Sequence, residues 1–160
     1  MRLKASYEAL FLIVTFLALD LNHITDFGTT WQTCHGYSPA SDQFRWYQSR
    51  MNELKKGHII TLLNEQNMRM RKQEGWQNLF ESGTMVFSGF GYYSERADVR
   101  GFPYFNTSLK AGDLYPDEFS QVLKGKAGYI LLTLQKDKPV TVEMKSLAGE
   151  VLDTVFVNAK

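Results

Sequence analysis

The stretch 84–96 contains the residues best placed to do chemistry. Its apolar run at 85–87 stops at a serine and a glycine, and polar and aromatic residues follow. This pattern predicts a buried strand that delivers the next residues to the edge of a sheet, where α/β enzymes commonly keep their active sites. The side chains delivered there, Tyr93, Glu95 and Arg96, are therefore expected to lie at an exposed rim and to be available for binding.

A second group of candidates consists of residue types that bind metal ions. Asp20 follows an apolar run, and His23 and His35 lie in the turn-rich segment after it. Carboxylates and imidazoles are ligands for zinc, iron and manganese. Their spacing matches none of the common metal motifs, so an ordinary surface loop is the preferred interpretation of residues 21–37. Asp20 and His23 remain candidate rim residues.

The loop after the strand resembles a known motif. Gly-Phe-Gly-Tyr at 89–92, followed by Ser-Glu-Arg at 94–96, is similar to the Gly-His-x-His segment of calcineurin-like metallophosphoesterases, which in purple acid phosphatases often continues toward Glu-Arg. The segment at 38–47 resembles an aromatic-rich helix of the same family. The resemblance implies an α/β sandwich in which two divalent metal ions activate a water molecule and bind the phosphoryl oxygens.

The histidines that would bind those metals are replaced in this sequence. The resemblance maps the ligands of the family's C-terminal half onto Asn64, Phe90 and Tyr92. An amide oxygen can ligate a metal, but a phenyl ring cannot, and a neutral phenol is a poor substitute for imidazole. The ligand motifs of the family's N-terminal half have no counterpart before Ala9. The resemblance thus implies a non-catalytic, phosphoesterase-like protein without a metal cofactor, which acts by binding if it acts at all.

Two alternatives to this function remain open. The first is a metal-dependent phosphoric ester hydrolase with a rearranged site, in which manganese, iron or zinc is held by Asp20, His23, His35 and Asp98. The second is a small secreted protein that binds a partner through the aromatic residues of the rim. The amount of metal bound to the purified protein separates the first alternative from the non-catalytic interpretation.

Composition and charge exclude several functional classes. The 160 residues are 44% hydrophobic and 14% aromatic, as expected for a single globular domain over 1–160. Lys and Arg (18) nearly cancel Asp and Glu (17), so there is no electrostatic reason to expect nucleic-acid binding. The basic cluster Arg69, Arg71 and Lys72 is interpreted as a solvated helix face. The single cysteine, Cys34, excludes an intrachain disulfide.

Residues 1–19 allow two interpretations. A basic start precedes an apolar run, as in a signal peptide. The run ends without a small-x-small cleavage site, however, and it is too short to span a bilayer. The preferred interpretation is a fully buried first core strand over 9–19 that ends at Asp20, which slightly favours a cytoplasmic over a secreted location.

The middle of the chain alternates between helical and strand patterns. Ser38 and Pro39 predict a helix start, with Ser38 as the N-cap, and Gly57 predicts its end. The following elements are a strand at 58–63, a helix at 67–83 interrupted at Gly75, and a strand at 84–87. A turn at Arg100-Gly101 then precedes an edge strand that contains Pro103.

The C-terminal third predicts a β-meander, with strands at 129–134, 140–144 and 151–157. The expected fold is therefore α/β, a partial calcineurin-like phosphoesterase sandwich built as strand-helix-strand-helix-strand followed by an antiparallel meander. This order corresponds to the C-terminal half of the family fold. Half a sandwich leaves apolar surface and an unpaired sheet edge. We therefore expect self-association or a partner chain that completes the sheet, and no membrane span.

Overall fold

The computed structural model describes residues 6–10, 14–21, 38–54 and 57–160, and within these ranges the chain forms two sheets and three helices. The strands are β1 Ser6–Leu10, β2 Val14–Leu19, β3 His58–Leu63, β4 Met85–Ser88, β5 Ser94–Val99, β6 Phe102–Asn106, β7 Ser120–Lys124, β8 Gly128–Thr133, β9 Val140–Ser146 and β10 Val151–Val157. The helices are α1 Asp42–Glu53, α2 Asn67–Met70 and α3 Glu74–Phe80. The expected mixed α/β class is confirmed.

The larger sheet has seven strands in the order β1-β2-β3-β4-β6-β5-β7. Strands β2, β3, β4 and β6 run parallel to one another, and β1, β5 and β7 are antiparallel to their neighbours. The four parallel strands therefore end at the same side of the sheet. This side, formed by the residues that directly follow β2, β3, β4 and β6, is called the carboxyl edge below.

The two faces of the larger sheet are covered by different layers. On one face, Trp76 of α3 packs against the rings of Phe44 and Tyr47 of α1, with centroids 4.8 and 5.8 Å away. The apolar residues Phe44, Tyr47 and Met51 of α1 are buried. On the other face lies the three-stranded sheet, in the order β10-β9-β8. Alternate residues of β9, among them Val140 and Val142, point into the space between the two sheets. The molecule is a helix–sheet–sheet sandwich.

The N-terminal part corrects the prediction of one long strand over 9–19. The run is shared by two antiparallel strands, with Ser6 opposite Leu19 and Leu10 opposite Thr15. The first strand is thus an edge strand, and β2 is the first member of the parallel set. Asp20 directly follows β2, as predicted.

The helix boundaries also differ from the prediction. Helix α1 is capped by Ser41, whose Oγ accepts the N–H of Phe44 at 3.2 Å, whereas Ser38 accepts the N–H of Ala40 in the preceding turn. The predicted helix over 67–83 is two short helices, and the break at 71–73 lies beside the buried side chain of Arg71. The predicted interruption at Gly75 is wrong, because this residue lies inside α3.

The segment after β4 contains the largest correction. Residues 94–99 form β5, which joins β6 through a two-residue turn, and Arg100 and Gly101 both have positive φ, 56° and 82°. These angles are typical of a type I′ turn. The prediction that β6 is an edge strand is wrong, since β6 lies between β4 and β5. Pro103 is tolerated because β6 pairs with β4 only from Tyr104 onward.

The described helices contain no segment that is long and apolar enough to cross a membrane.

Candidate functional site

The carboxyl edge brings together Asp20 and Asn64, two of the residues predicted from the sequence. Asn64 Nδ2 donates to Asp20 Oδ1 at 2.7 Å, and Asn64 Oδ1 accepts the N–H of Leu21 at 2.8 Å. The amide of Gln43 in α1 bonds both the N–H and the C=O of Asp20, each at 2.7 Å. The end of β2 is thus fixed by two side-chain amides, and Asn64 Oδ1 already accepts a backbone hydrogen bond.

The loop after β4 contains Phe90 and Tyr92, the other two positions that the resemblance maps to metal ligands, and it places them in different environments. Its start is fixed by Ser88, whose Oγ donates to the C=O of Glu65 at 2.6 Å and accepts the N–H of Phe90 at 3.2 Å. Phe90 is half-buried, whereas Tyr92 is exposed and its ring lies under Lys110 Nζ, at 5.6 Å. Neither side chain offers an imidazole or a carboxylate at this edge.

Gly91 of this loop has a backbone conformation that suits only glycine. Its φ is +97°, and a Cβ at this position would lie 2.8 Å from the ring of Tyr93. The glycine allows the loop to fold back so that Tyr93 enters the core.

Tyr93 and Glu95 are buried, which corrects the expectation that they line an exposed rim. Tyr93 is 2% exposed, and burial together with the negative charge of Glu95 raises its pKa to about 12. Its backbone C=O accepts the side-chain N–H of Asn106 at 2.8 Å. This phenol is therefore neutral and serves packing rather than contact with solvent.

Glu95 belongs to a buried ion cluster that sequence patterns did not reveal. Arg71 donates to both oxygens of Glu95, at 2.9 and 3.1 Å, and to both oxygens of Asp117, at 2.6 and 3.0 Å. Ser120 Oγ adds a bond to Glu95 at 2.5 Å. The expectation of a solvated basic face at 69–72 is wrong for Arg71, whose side chain is fully buried. The sequence did not indicate this cluster, because the partners of Arg71 lie 24 and 46 residues away along the chain.

Burial and hydrogen bonding act against each other in this cluster. Burial alone lowers the pKa of Arg71, but its bonds to Glu95 and Asp117 raise the pKa above its ordinary value. Burial raises the pKa of Asp117, whereas the hydrogen bonds from Arg71 and from the N–H of Phe119 lower it. The hydrogen bonds have the larger effect, so the pKa of Asp117 lies below its ordinary value. Arg71, directly after α2, is bonded to both Glu95 of β5 and Asp117, so the cluster joins the end of α2, β5 and the segment before β7.

Arg96 and Asp98 do not join Asp20 and Asn64 at the carboxyl edge. Arg96 Nε donates to Asp153 Oδ2 of β10 at 2.6 Å, so this predicted binding residue connects the two sheets. Asp98 lies at the opposite end of β5, where its Oδ1 accepts the N–H of Gly101 at 2.7 Å. The structure therefore does not bring Asp98 together with Asp20, as the rearranged metal site requires.

The remaining metal-ligand candidates, His23 and His35, fall outside the described residues, as does Cys34. Among the residues that the structure does describe, no three His, Cys, Asp or Glu side chains are grouped so that they could hold a metal ion.

An apolar groove opens between the two sheets beside the carboxyl edge. Its volume is about 680 Å³. The apolar residues that line it include Leu62, Phe87, Leu109, Tyr129, Ile130 and Leu132, and the polar ones are Ser88, Thr107 and Ser108. The sequence did not indicate this groove, because its walls come from β3, β4 and β8, which are far apart in the chain. Its chemistry suits apolar side chains with a few hydroxyl contacts.

Comparisons with known proteins give structural matches alone. No protein-family model matches the sequence, and no match was found among curated proteins. The structure of GAP50, the anchor in the inner membrane complex of Plasmodium, superposes with a TM-score of 0.70 at 14% identity, covering 97% of this chain and 54% of that one. Purple acid phosphatase PPD1 from yellow lupin seeds superposes with a TM-score of 0.72 at 11% identity, covering 94% of this chain and 32% of that one.

These matches show a phosphoesterase-like fold. The chain spans about half the length of the Plasmodium protein and about a third of the lupin enzyme. At such low identity the likeness concerns the fold, and activity has to be argued from the side chains of the site.

Proposed function

We propose that this protein is a phosphoesterase-like domain that has lost its metal ligands and acts by binding. One observation carries the proposal: the positions that the resemblance assigns to metal ligands hold Asn64, Phe90 and Tyr92 at the ends of β3 and β4. A two-metal centre needs several charged or imidazole ligands around both ions. At Asp20 and these three positions, the described oxygen donors are one carboxylate, a phenol, and an amide oxygen that already accepts a backbone N–H. This donor set does not fit two divalent ions.

The structural neighbours are compatible with either a binding or a catalytic role. One is described as an anchor and the other as a phosphatase. The same fold therefore supports both kinds of function, and the donor set favours binding for this chain.

Purified protein is expected to contain no stoichiometric manganese, iron or zinc and to hydrolyse neither nitrophenyl phosphate nor bis-nitrophenyl phosphate. Metal content is measured by mass spectrometry, and hydrolysis is followed with and without chelator. Added zinc should leave the melting temperature unchanged, because no three His, Cys, Asp or Glu side chains are grouped to hold it among the described residues. The triple variant Asn64→His, Phe90→His, Tyr92→His should remain inactive, since three ligands do not complete a two-metal centre.

Hydrolysis that chelator removes and manganese restores would contradict this proposal. The rearranged metal site would then be the better explanation, and Asp20→Asn provides its test. This substitution keeps the shape of the side chain but removes its charge, so it should abolish a metal-dependent activity that uses Asp20. Asp98→Asn is the matched control, because Asp98 lies at the other end of the sheet.

A further inference from the structure

The described structure has four edge strands, and two of them, β7 and β10, are protected against pairing with another chain. The edges of the larger sheet are β1 and β7, and β7 ends at the exposed Lys124. In the smaller sheet, β10 contains Asp153 and an irregular register between Val151 and Asp153. Charges and bulges of this kind are common means of preventing edge-to-edge association.

The fourth edge strand, β8, lacks such protection. Its sequence, Gly-Tyr-Ile-Leu-Leu-Thr, contains no charged residue and no proline, and its ladder to β9 is regular. Tyr129 and Leu131 are 41% and 42% exposed on its outer surface. An uncharged, regular edge strand with exposed apolar side chains is a ready template for an added strand.

The backbone of β8 offers hydrogen bonds toward its open side. The N–H of Gly128 donates to the C=O of Ser108, away from β9, at 2.8 Å. Because antiparallel pairing alternates along a strand, the N–H and C=O groups of Ile130 and Leu132 point to the same side as those of Gly128. No hydrogen bond of these two residues on that side is present within the described part of the chain.

The apolar groove lies directly beside this open edge. Gly128, Tyr129, Ile130 and Leu132 of β8 form one wall, and the face of the larger sheet around Leu62 and Phe87 forms the floor. Side chains alternate between the two faces of a strand. A strand added to β8 would therefore direct every second side chain into the groove, where apolar groups lose contact with water.

The charges that flank β8 specify the partner further. Lys124 and Lys126 precede the strand, and Lys136 and Lys138 follow it, all four exposed. Lys126 is paired with Glu150 at 2.6 Å, and Asp137 lies between the two later lysines, so each end of β8 keeps an excess of one positive charge. Antiparallel pairing of β8 with a second copy would bring the two positively charged ends of the strands near each other, which is unfavourable. An added strand with acidic residues at both ends would meet opposite charges instead.

We infer that the open edge of β8 is a docking site for an extended segment of a partner protein, with alternating apolar residues in its centre and acidic residues at its ends. Main-chain bonds to Ile130 and Leu132 hold the segment, and its inward side chains fill the groove. The site does not depend on whether the carboxyl edge is catalytic, so a failure of the proposed function leaves it intact.

The test uses a blocked peptide, Glu-Glu-Val-Thr-Val-Thr-Val-Glu-Glu, and the same peptide with lysines in place of the glutamates. Fluorescence anisotropy should show about tenfold tighter binding of the acidic peptide, since its glutamates face the excess positive charge at both ends of β8. Amide exchange measured by NMR should slow at Ile130 and Leu132. A third kind of peptide carries N-methyl groups on alternate backbone amides, on one pairing face or on the other. Methylation of the face that pairs with β8 should abolish binding, because the hydrogen-bond donors of that face are blocked.

Two protein variants provide a matched pair. Ile130→Pro removes the outward N–H, and Ile130→Ala removes the same side-chain packing but keeps that donor. We expect the proline variant to bind about fivefold to tenfold more weakly than the alanine variant, as for the loss of one hydrogen bond. The proposal is overturned if no peptide slows exchange at Ile130 and Leu132, or if both charged peptides bind equally. It is also overturned if these amides are protected in the protein alone in a concentration-dependent way, since a second copy then occupies the edge.

Discussion

Replacing Arg71 with methionine is expected to lower the free energy of unfolding by about 3–5 kcal/mol, because the substitution leaves two carboxylates without their buried cation. Glu95 is 0% exposed, and both of its oxygens are bonded to Arg71. Equilibrium unfolding in urea measures the effect. The control is Arg100→Met, which removes a similar arginine from Glu81 on the surface, where a pair contributes at most about 1 kcal/mol. Equal losses in the two variants would contradict a special role for the buried cluster.

The pH dependence of this variant gives an independent check. The pKa of Asp117 lies below its ordinary value because its bonds to Arg71 and Phe119 outweigh the effect of burial. A lowered folded-state pKa contributes stability that is present above the unfolded-state pKa and is lost as the pH falls through the folded-state value. Without Arg71 this acid-side loss becomes smaller. The stability difference between wild type and Arg71→Met should therefore narrow as the pH falls below about 4.

Gly128→Ala is expected to lower the free energy of unfolding by about 1–3 kcal/mol or more, as for overpacking of a rigid site. A Cβ at this position would lie 2.2 Å from the backbone oxygen of Lys145 in β9, and a backbone atom cannot move aside as a side chain can. The control is Gly89→Ala in the same groove, where the nearest atom is 4.0 Å away. Its stability should differ little from that of wild type.

Thermal and urea unfolding compare these two glycine variants, and amide exchange locates the effect. The loss of protection in Gly128→Ala should centre on β8 and β9, which pair from Gly128 opposite Ser146 to Thr133 opposite Thr141. A stable Gly128→Ala protein with normal exchange in β8 would show that the two strands separate at low cost.

The elements with strong local patterns could be predicted from the sequence. Strand β3 was predicted at its observed bounds, and the predicted strand at 140–144 lies within β9, where buried residues alternate with half-buried ones. The period of the apolar residues decides these cases because it reports directly which face is covered. The strand at 94–99 was not predicted, because its polar residues are typical of a loop. Ser94 and Glu95 belong to a strand only because Arg71, Ser120 and a backbone carbonyl satisfy them.

The candidate site was less predictable than the fold. Asp20 and Asn64 were each predicted to follow a strand directly, and the structure brings them together because the ends of parallel strands meet at one edge. The burial of Tyr93 depends on the backbone turn at Gly91, and the position of Asp98 depends on β5 running antiparallel to β6. Both depend on tertiary structure rather than on local residue types. The groove and the open edge of β8 arise from the packing of two sheets, which no local pattern specifies.

The turn at Arg100 and Gly101 has a consequence for the order of folding. Strands β5 and β6 pair through contacts between residues close in sequence, whereas β2 and β3 pair across a gap from Leu19 to His58. Closing a short loop costs less entropy than closing a long one. The hairpin should therefore form before the rate-limiting barrier, with β6 as the template onto which β4 and then β3 assemble. Val99→Ala should mainly slow refolding, and Ile60→Val should mainly accelerate unfolding. Stopped-flow measurements of both rates test this order. If the parallel strands pair first, Ile60→Val should instead slow refolding and Val99→Ala should accelerate unfolding.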